Sequence, residues 1–152
     1  MFTHAEGMVN VSRKAVIRRT AVASSRIELP KRICDAVFDS SLQLNSKGNI
    51  QGVSKISGVM GAKKTSDLIP LCHQLALNQV SVDIHRVDEG VIEIVASADA
   101  IARTGVEMEA LTAVSIASLT LYDMTKSALK NTTDKIIIKE IQLRSKSITP
   151  VE

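Results

Sequence analysis

The amino-acid sequence predicts a single α+β domain in which helices cover one face of an antiparallel sheet. Segments with alternating apolar residues, typical of strands, are interleaved with segments whose apolar residues recur every three or four positions, typical of helices. Their order is β, α, α, β, β, α, β, which is the split βαβ, or ferredoxin-like, arrangement when the first two helices count as one unit. The 152 residues fit one domain. We expect residues 1–12 to form a flexible arm and residues 147–152 a flexible tail.

The first half of the chain supplies one predicted strand and two predicted helices. Residues 16–29 are rich in β-branched residues, and Pro30 is suited to a helix start at Lys31. A polar turn follows this helix, and apolar residues at helical spacing then predict a second helix over residues 50–64. The apolar positions of that second helix are Ile50, Val53, Ile56, Val59 and Met60.

The second half contains a predicted hairpin and a predicted final strand. Residues 75–87 alternate between apolar and polar positions, and the turn residues 88–90 connect them to a second alternating segment over residues 91–95. Residues 135–145 alternate in the same way near the end of the chain. These three segments complete a four-stranded sheet.

The longest predicted helix lies between the hairpin and the final strand. Thr104 and Glu107 have the spacing of a capping box, in which the two side chains satisfy amides at a helix start. An apolar stripe then continues to about residue 130. Ala, Ser and Thr dominate the other positions, and such small residues allow close approach of a second surface. We therefore expect this helix to pack on more than one side, including at a subunit interface.

Composition limits the class of protein. Nineteen basic and 16 acidic residues give a net charge of +3, which is mild for a duplex-binding protein but compatible with a local anion site. Cys34 and Cys72 are far apart and form no CxxC motif, so we expect free thiols and a reducing, cytoplasmic setting. No apolar run approaches the roughly 20 residues of a membrane span, and no leader is evident at the N-terminus. We expect a soluble protein without a membrane partner.

Two further classes of function remain as alternatives to an enzyme. Split βαβ sheets commonly bind RNA, but this use requires exposed aromatic residues on the central strands. The aromatic residues Phe2, Phe38 and Tyr122 all lie outside the predicted strands, so we do not expect a nucleic-acid partner. A purely structural assembly partner is the second alternative, which a titration with a nucleoside triphosphate would separate from an enzyme.

His73 is the histidine with the best candidate position. It follows Pro70-Leu71-Cys72 between a helix end and a strand start, where a side chain can point into a cleft. A half-buried structural histidine is an equally good interpretation of this residue. Because adjacent residues rarely share one ion and no third ligand is spaced nearby, Cys72 and His73 do not predict a zinc site. His4 and His85 have no such setting.

Charged residues lie near both ends of the long helix. Glu107 has a structural role in the proposed capping box, whereas Glu109 has none. Asp123 and Lys126 are neighbours on one helical face, either as a surface ion pair or as part of a site. Asp123 follows Glu109 by 14 residues, which corresponds to about 21 Å along a straight helix. If both serve one small ligand, the site must be assembled across a subunit interface.

Several segments, in this order along nearly the whole chain, resemble the cyclic pyranopterin monophosphate synthase family, often called MoaC. Long joint matches of this kind are far more specific than a single short motif. The segments that carry the resemblance are MVNVS at residues 8–12, KG at 47–48, AKKTSDLIPLCH at 62–73, TGVEMEALTA at 104–113 and LYDMTK at 121–126.

The resemblance implies a homohexamer, a trimer of dimers with active sites at the dimer interface. The family acts on a cyclised dihydro-GTP: it opens the imidazole part of the base, rebuilds it as a pyranopterin, closes a cyclic phosphate and releases pyrophosphate in molybdenum cofactor biosynthesis. No resident cofactor or metal is implied, and whether Mg²⁺ accompanies the triphosphate is left open. By position the resemblance implies site residues as follows: Asp123, Lys126 and Lys47 in catalysis; Lys63, Arg19, Lys146, Leu71, Cys72, His73, Met108 and Glu109 in substrate binding.

These implied roles agree with elementary chemistry. A triphosphate requires several cations, which Arg19, Lys63 and Lys146 can supply. Base rearrangement requires proton transfers, for which we expect Lys47 and Lys126 to serve, with a lysine pKa lowered by crowding among like charges. We further expect Asp123 to orient Lys126, and His73 and Glu109 to hold the base and water.

Overall fold

The structure is a computed structural model that describes residues 6–40, 42, 44 and 46–151. In chain order the elements are β1 (Ile17–Glu28), α1 (Lys31–Phe38), α2 (Ile50–Lys63), α3 (Thr65–Leu68), β2 (Gln79–Asp88), β3 (Val91–Ala102), α4 (Glu107–Thr125), a 3₁₀ turn (Lys126–Ala128) and β4 (Ile137–Thr149). The strands form one sheet in the order β2-β3-β1-β4, and all three pairings are antiparallel. This arrangement confirms the predicted ferredoxin-like α+β fold.

The core lies between the sheet and the helical layer. The two central strands bury alternate residues towards the helices, and Ser25 on β1 is hydrogen-bonded to Ser118 on α4 with 2.7 Å between their hydroxyl oxygens. Many of the buried residues on these two strands are small, namely Ala21, Ala23, Ser24, Ser25, Ala96, Ala98 and Ala100. The largest fully buried apolar side chains are Ile27, Ile33, Ile92, Ile94, Leu121, Val106 and Val114.

Helices α2 and α4 are in close contact. A Cβ atom on Gly58 would lie 3.0 Å from the carbonyl oxygen of Ala113, and one on Gly61 would lie 2.7 Å from the Ile116 side chain. Lys47, just before α2, contacts Asp123 near the end of α4, so the two helices run antiparallel. The start of α2 therefore lies beside the end of α4.

The buried face of α2 differs from its apolar pattern. The helix buries Ile50, Ser54, Gly58, Gly61 and Ala62. Three of the five apolar positions that predicted the helix are instead exposed: Val53 by 40%, Ile56 by 64% and Met60 by 58%. On α4, Leu119 is 57% exposed. The helical layer therefore presents apolar side chains to the outside, which is the usual sign of an interaction surface when they form a contiguous patch.

The sheet extends further than the sequence pattern indicated. The hairpin between β2 and β3 is confirmed, but β3 continues to Ala102 and β4 to Thr149. Ser147, Ile148 and Thr149 pair with the start of β1, which corrects the predicted tail: its first three residues belong to the sheet. The sequence did not predict this extension of β4, because polar and apolar residues alternate only partly over residues 145–149. The first strand and both long helices begin and end within a few residues of their predicted limits.

The hairpin turn depends on Gly90. Its φ of +67° is in the left-handed region, and a Cβ atom there would lie 2.5 Å from the carbonyl oxygen of Leu29. We expect Gly90→Ala to lower the free energy of unfolding by about 3 kcal/mol, through backbone strain together with this contact. Gly48→Ala is the control, because Gly48 has a φ of +98° but nothing within 4 Å of the new Cβ. Urea unfolding of both variants should show a clearly larger loss for Gly90→Ala; equal losses would contradict the contact.

Cys34 and Cys72 are both free thiols, as predicted. In the part of the chain that the structure describes, no helix is both long enough and apolar enough to cross a membrane.

Candidate active site

The predicted site residues form two groups, at opposite ends of α4. The first group surrounds the start of the helix, where Leu71, Cys72, His73, Met108 and Glu109 line one cleft with a volume of about 420 Å³. Val9 and Val11 of the N-terminal arm, residues 1–12, and Lys14 just after it also line this cleft. Five of the eight residues that the resemblance assigned to substrate binding therefore line the same cleft.

Glu109 is the most buried ionisable group of this cleft, with 4% of its surface exposed. Burial raises the pKa of its carboxyl group, and the nearby charge of Glu107 raises it further, although the amide of Glu109 itself acts in the opposite direction. The pKa of the neighbouring Cys72 thiol is raised by burial and then by Glu109. This corner of the cleft favours neutral, proton-carrying forms of both groups.

The raised pKa of Glu109 has a consequence for stability. A carboxyl group whose pKa is higher in the folded than in the unfolded state stabilises the fold below the unfolded value, and this contribution is lost as the pH rises through the folded value. Glu109→Gln stays neutral, so we expect its stability relative to the wild type to increase as the pH is raised from about 4 to about 7.5. Urea unfolding at several pH values measures this difference. A difference that does not change with pH would contradict the raised pKa.

His73 is fixed by the N-terminal arm. Its Nε2 lies 2.7 Å from the carbonyl oxygen of Val9, and because a carbonyl can only accept, Nε2 carries the hydrogen. In the neutral ring Nδ1 is then the acceptor. Arg103 holds the same arm by donating to the carbonyl oxygens of Ser12 at 2.9 Å and Lys14 at 2.6 Å. Residues 6–12, predicted as part of a flexible arm, thus form a wall of the cleft, whereas residues 1–5 lie outside the described residues.

Arg19 and Lys146 lie beside the same end of α4. Lys146 Nζ is 3.1 Å from Glu107 Oε1, and the Arg19 guanidinium donates to the carbonyl oxygens of Ala102 and Arg103, each at 3.4 Å. Together with Glu107 these two cations line a small cavity of about 40 Å³. Two of the three predicted phosphate-binding cations are therefore adjacent to the cleft.

Glu107 does not form the predicted capping box. Helix α4 begins at Glu107 itself with Val106 at the N-cap position, and no side chain caps it. Glu107 is therefore the first residue of the helix, and the capping geometry requires the third. Burial alone would raise the pKa of Glu107, but the hydrogen bond to its own amide and the charge of Lys146 outweigh burial and lower it. The sequence spacing predicted only a structural role for Glu107. Its contact with Lys146 could not be predicted from the residues near it in the sequence.

The second group lies at the end of α4 and contains Lys47, Asp123 and Lys126. Lys126 Nζ is 2.6 Å from Asp123 Oδ1, and Lys47 Nζ is 2.6 Å from Asp123 Oδ2 and 3.2 Å from the Asp123 carbonyl oxygen. The hydrogen bonds from Lys126 and then Lys47 lower the pKa of Asp123 to about 2. Asp123 is therefore ionised at neutral pH.

The expected direction of the Lys126 pKa is wrong. We expected crowding among like charges to lower it, but the nearest charged group is the Asp123 carboxylate, whose hydrogen bond and charge raise the pKa of Lys126. Lys126 is accordingly an ammonium ion near neutral pH, suited to donate a proton or to bind an anion.

Lys63 is the last residue of α2 and is exposed. Within the described ranges it forms no ion pair with a residue of either group. The structure thus brings ten of the eleven predicted residues into two groups, and Lys63 is the one that neither group includes. Among the described residues, no three His, Cys, Asp or Glu side chains are close enough together to hold a metal ion.

The fold and the two groups of ionisable residues define a class: a ferredoxin-like α+β domain with the site chemistry of a small-molecule enzyme. No aromatic residue lies on a described strand, since Phe38 is in α1 and Tyr122 in α4, so the sheet has no base-stacking platform. The sequence model of the MoaC family matches residues 8–148. This chain belongs to the MoaC family.

Individual relatives support the same assignment. A cyclic pyranopterin monophosphate synthase from Desulforapulum autotrophicum is 47% identical, with 96% of this chain and 89% of the relative aligned. One from Novosphingobium aromaticivorans is also 47% identical, covering 91% of this chain and 83% of the relative. The mitochondrial cyclic pyranopterin monophosphate synthase of Arabidopsis thaliana is 45% identical over 92% of this chain, which spans 50% of that longer protein.

Proposed function

We propose that this chain is a cyclic pyranopterin monophosphate synthase, a lyase of molybdenum cofactor biosynthesis that acts in the cytoplasm. Its substrate would be (8S)-3′,8-cyclo-7,8-dihydroguanosine 5′-triphosphate, and its products cyclic pyranopterin monophosphate and pyrophosphate. The observation that carries the proposal is the Asp123 carboxylate held by Lys47 and Lys126, each at 2.6 Å. Similarity to relatives that are named for this activity supports it.

The group at the end of α4 would perform the proton transfers. Lys126 enters the reaction as an ammonium ion because Asp123 raises its pKa, so its first role is that of a general acid. Asp123 is ionised and cannot donate a proton, but it can orient both lysines and accept a proton that they pass on. Opening the imidazole ring and rebuilding it as a pyranopterin both require protons to leave and arrive at ring nitrogens. Lys47 and Lys126 supply two groups that can transfer these protons.

The group at the start of α4 would bind the substrate. Glu109 and His73 line the cleft, where a protonated Glu109 can donate to a ring nitrogen or carbonyl and the Nδ1 atom of His73 can accept. Arg19 and Lys146 lie next to this cleft and would hold the triphosphate, with Lys63 as a further cation. If Mg²⁺ takes part, it would be bound chiefly by the phosphates, as is usual for this ion.

The two groups would meet across a subunit interface. Asp123 and Glu109 are separated by about 21 Å along α4, too far for one small ligand within one chain. The exposed apolar residues of the helical layer, among them Ile56 and Met60, supply a surface for a second copy. We propose a dimer that contains two such sites, assembled further into a homohexamer.

A direct assay tests this function. The purified chain is incubated with the cyclised dihydro-GTP, and both pyrophosphate release and the mass of the pterin product are followed. We expect stoichiometric formation of pyrophosphate and cyclic pyranopterin monophosphate. A folded, oligomeric preparation that leaves the substrate unchanged would overturn the proposal.

A further inference from the structure

Glu107 lies beside the two cations that we assign to the triphosphate, Arg19 and Lys146. Its Oε1 atom is 3.1 Å from Lys146 Nζ, and the positive charge of Arg19 also stabilises its ionised form. One of the two cations that we assign to the triphosphate, Lys146, is therefore already paired with a carboxylate, and the charge of the other acts on the same carboxylate. An incoming phosphate must compete with that carboxylate for them.

The carboxylate is folded back onto the helix start. A Cβ atom on Gly105 would lie 1.9 Å from Glu107 Oε2 and 2.7 Å from Oε1. Glu107 thus takes up the space that any other residue at position 105 would fill. Because Glu107 also lines the larger cleft, it stands between the base-binding cleft and the two cations.

The remaining space beside the cations is small. The cavity lined by Arg19, Glu107 and Lys146 has a volume of about 40 Å³, far less than the about 420 Å³ of the neighbouring cleft. To contact Lys146 directly, a phosphate group would have to take the place of the Glu107 carboxylate. Rotation of this side chain into the cleft would release both space and cations.

We propose that Glu107 is an internal counter-ion of the phosphate-binding pocket: it pairs with Lys146 in the free enzyme, moves away when the triphosphate binds, and returns as pyrophosphate leaves. The inference rests on the proposed function and adds a residue that regulates phosphate affinity. Its physical basis is charge: two anions cannot share one pair of cations without mutual repulsion. The carboxylate would weaken product binding and so speed pyrophosphate release.

Inorganic pyrophosphate is the probe for this role. We expect Glu107→Gln to bind pyrophosphate about tenfold more tightly than the wild type, which is the scale of removing one nearby like charge at a partly exposed site. Gly105→Ala should also tighten binding, since its new Cβ displaces the carboxylate without removing the charge. Isothermal titration calorimetry in buffer without Mg²⁺ measures both, and circular dichroism verifies that each variant is folded.

Lys146→Ala separates this inference from the function on which it rests. If Arg19 and Lys146 bind phosphate, Lys146→Ala weakens pyrophosphate binding, and Glu107→Gln has a much smaller effect in the Lys146→Ala background. If Lys146→Ala leaves binding unchanged, the assignment of the phosphate pocket is wrong. If Lys146→Ala weakens binding but Glu107→Gln fails to strengthen it, the pocket stands and the counter-ion role is overturned.

Discussion

Asp123→Asn is expected to lower the kcat of the proposed reaction by about 10²–10⁴-fold, the usual contribution of a positioned acid–base group. The variant keeps the shape of the side chain but removes the charge that binds Lys47 and Lys126, each at 2.6 Å. Without it the two ammonium groups repel each other, and the pKa of Lys126 falls because its largest raising influence is gone. Steady-state kinetics with the cyclised dihydro-GTP, as a function of pH, measure both effects.

Asp67→Asn is the matched control for this substitution. Asp67 pairs with Lys64 at 3.5 Å, and both side chains of this control pair are exposed. The two residues are three positions apart, as are Asp123 and Lys126, but in the reverse order. We expect Asp67→Asn to change kcat by less than about twofold, since an exposed pair of this kind contributes little. A loss below about tenfold for Asp123→Asn would remove Asp123 from the catalytic group.

The order of the strands and helices could be predicted from the sequence, because the spacing of apolar residues in the strands differs clearly from that in the helices. This spacing was not sufficient to predict the buried face of α2. Close approach of α4 requires small residues on α2, and Ser54, Gly58 and Ala62 are therefore the buried ones. The larger apolar residues whose spacing predicted the helix, such as Ile56 and Met60, face outwards. A hydrophobic pattern identifies an apolar surface but does not distinguish the core from an interface.

Only part of the site could be predicted from the sequence, because several of its contacts join residues that are far apart along the chain. The pairing of Asp123 with Lys126 follows from helical spacing. Lys47, which lies 76 residues from Asp123, had no local signal and was identified through the family resemblance alone. The Lys126 pKa was predicted in the wrong direction because the hydrogen bond and the charge of Asp123 are the largest influences on it. Glu107 was missed because its partner, Lys146, is on a strand 39 residues later.

A mixed oligomer tests whether the two groups of residues belong to different chains. His73→Ala disables the group at the start of α4, and Asp123→Asn disables the group at its end; each variant alone is expected to be inactive. When equal amounts are unfolded together and reassembled, half of the dimers contain one copy of each variant, and each such dimer has one intact site out of two. We therefore expect about a quarter of wild-type activity in the mixture.

The choice of the two variants that are mixed distinguishes a site shared between two chains from a site contained in one chain. Asp123→Asn mixed with Lys126→Ala must stay inactive, because both variants damage the same group, whose members are joined at 2.6 Å within one chain, and every shared site then contains a defect. If the site were contained in one chain, the His73→Ala and Asp123→Asn mixture would be equally inactive. Recovery in the first mixture and none in the second is expected only when one protomer supplies the cleft at Glu109 and its partner supplies the lysines at Asp123. In that arrangement the 21 Å along α4 is spanned by two antiparallel copies of the helix, and the apolar residues exposed on α2 become buried at the interface that forms the site.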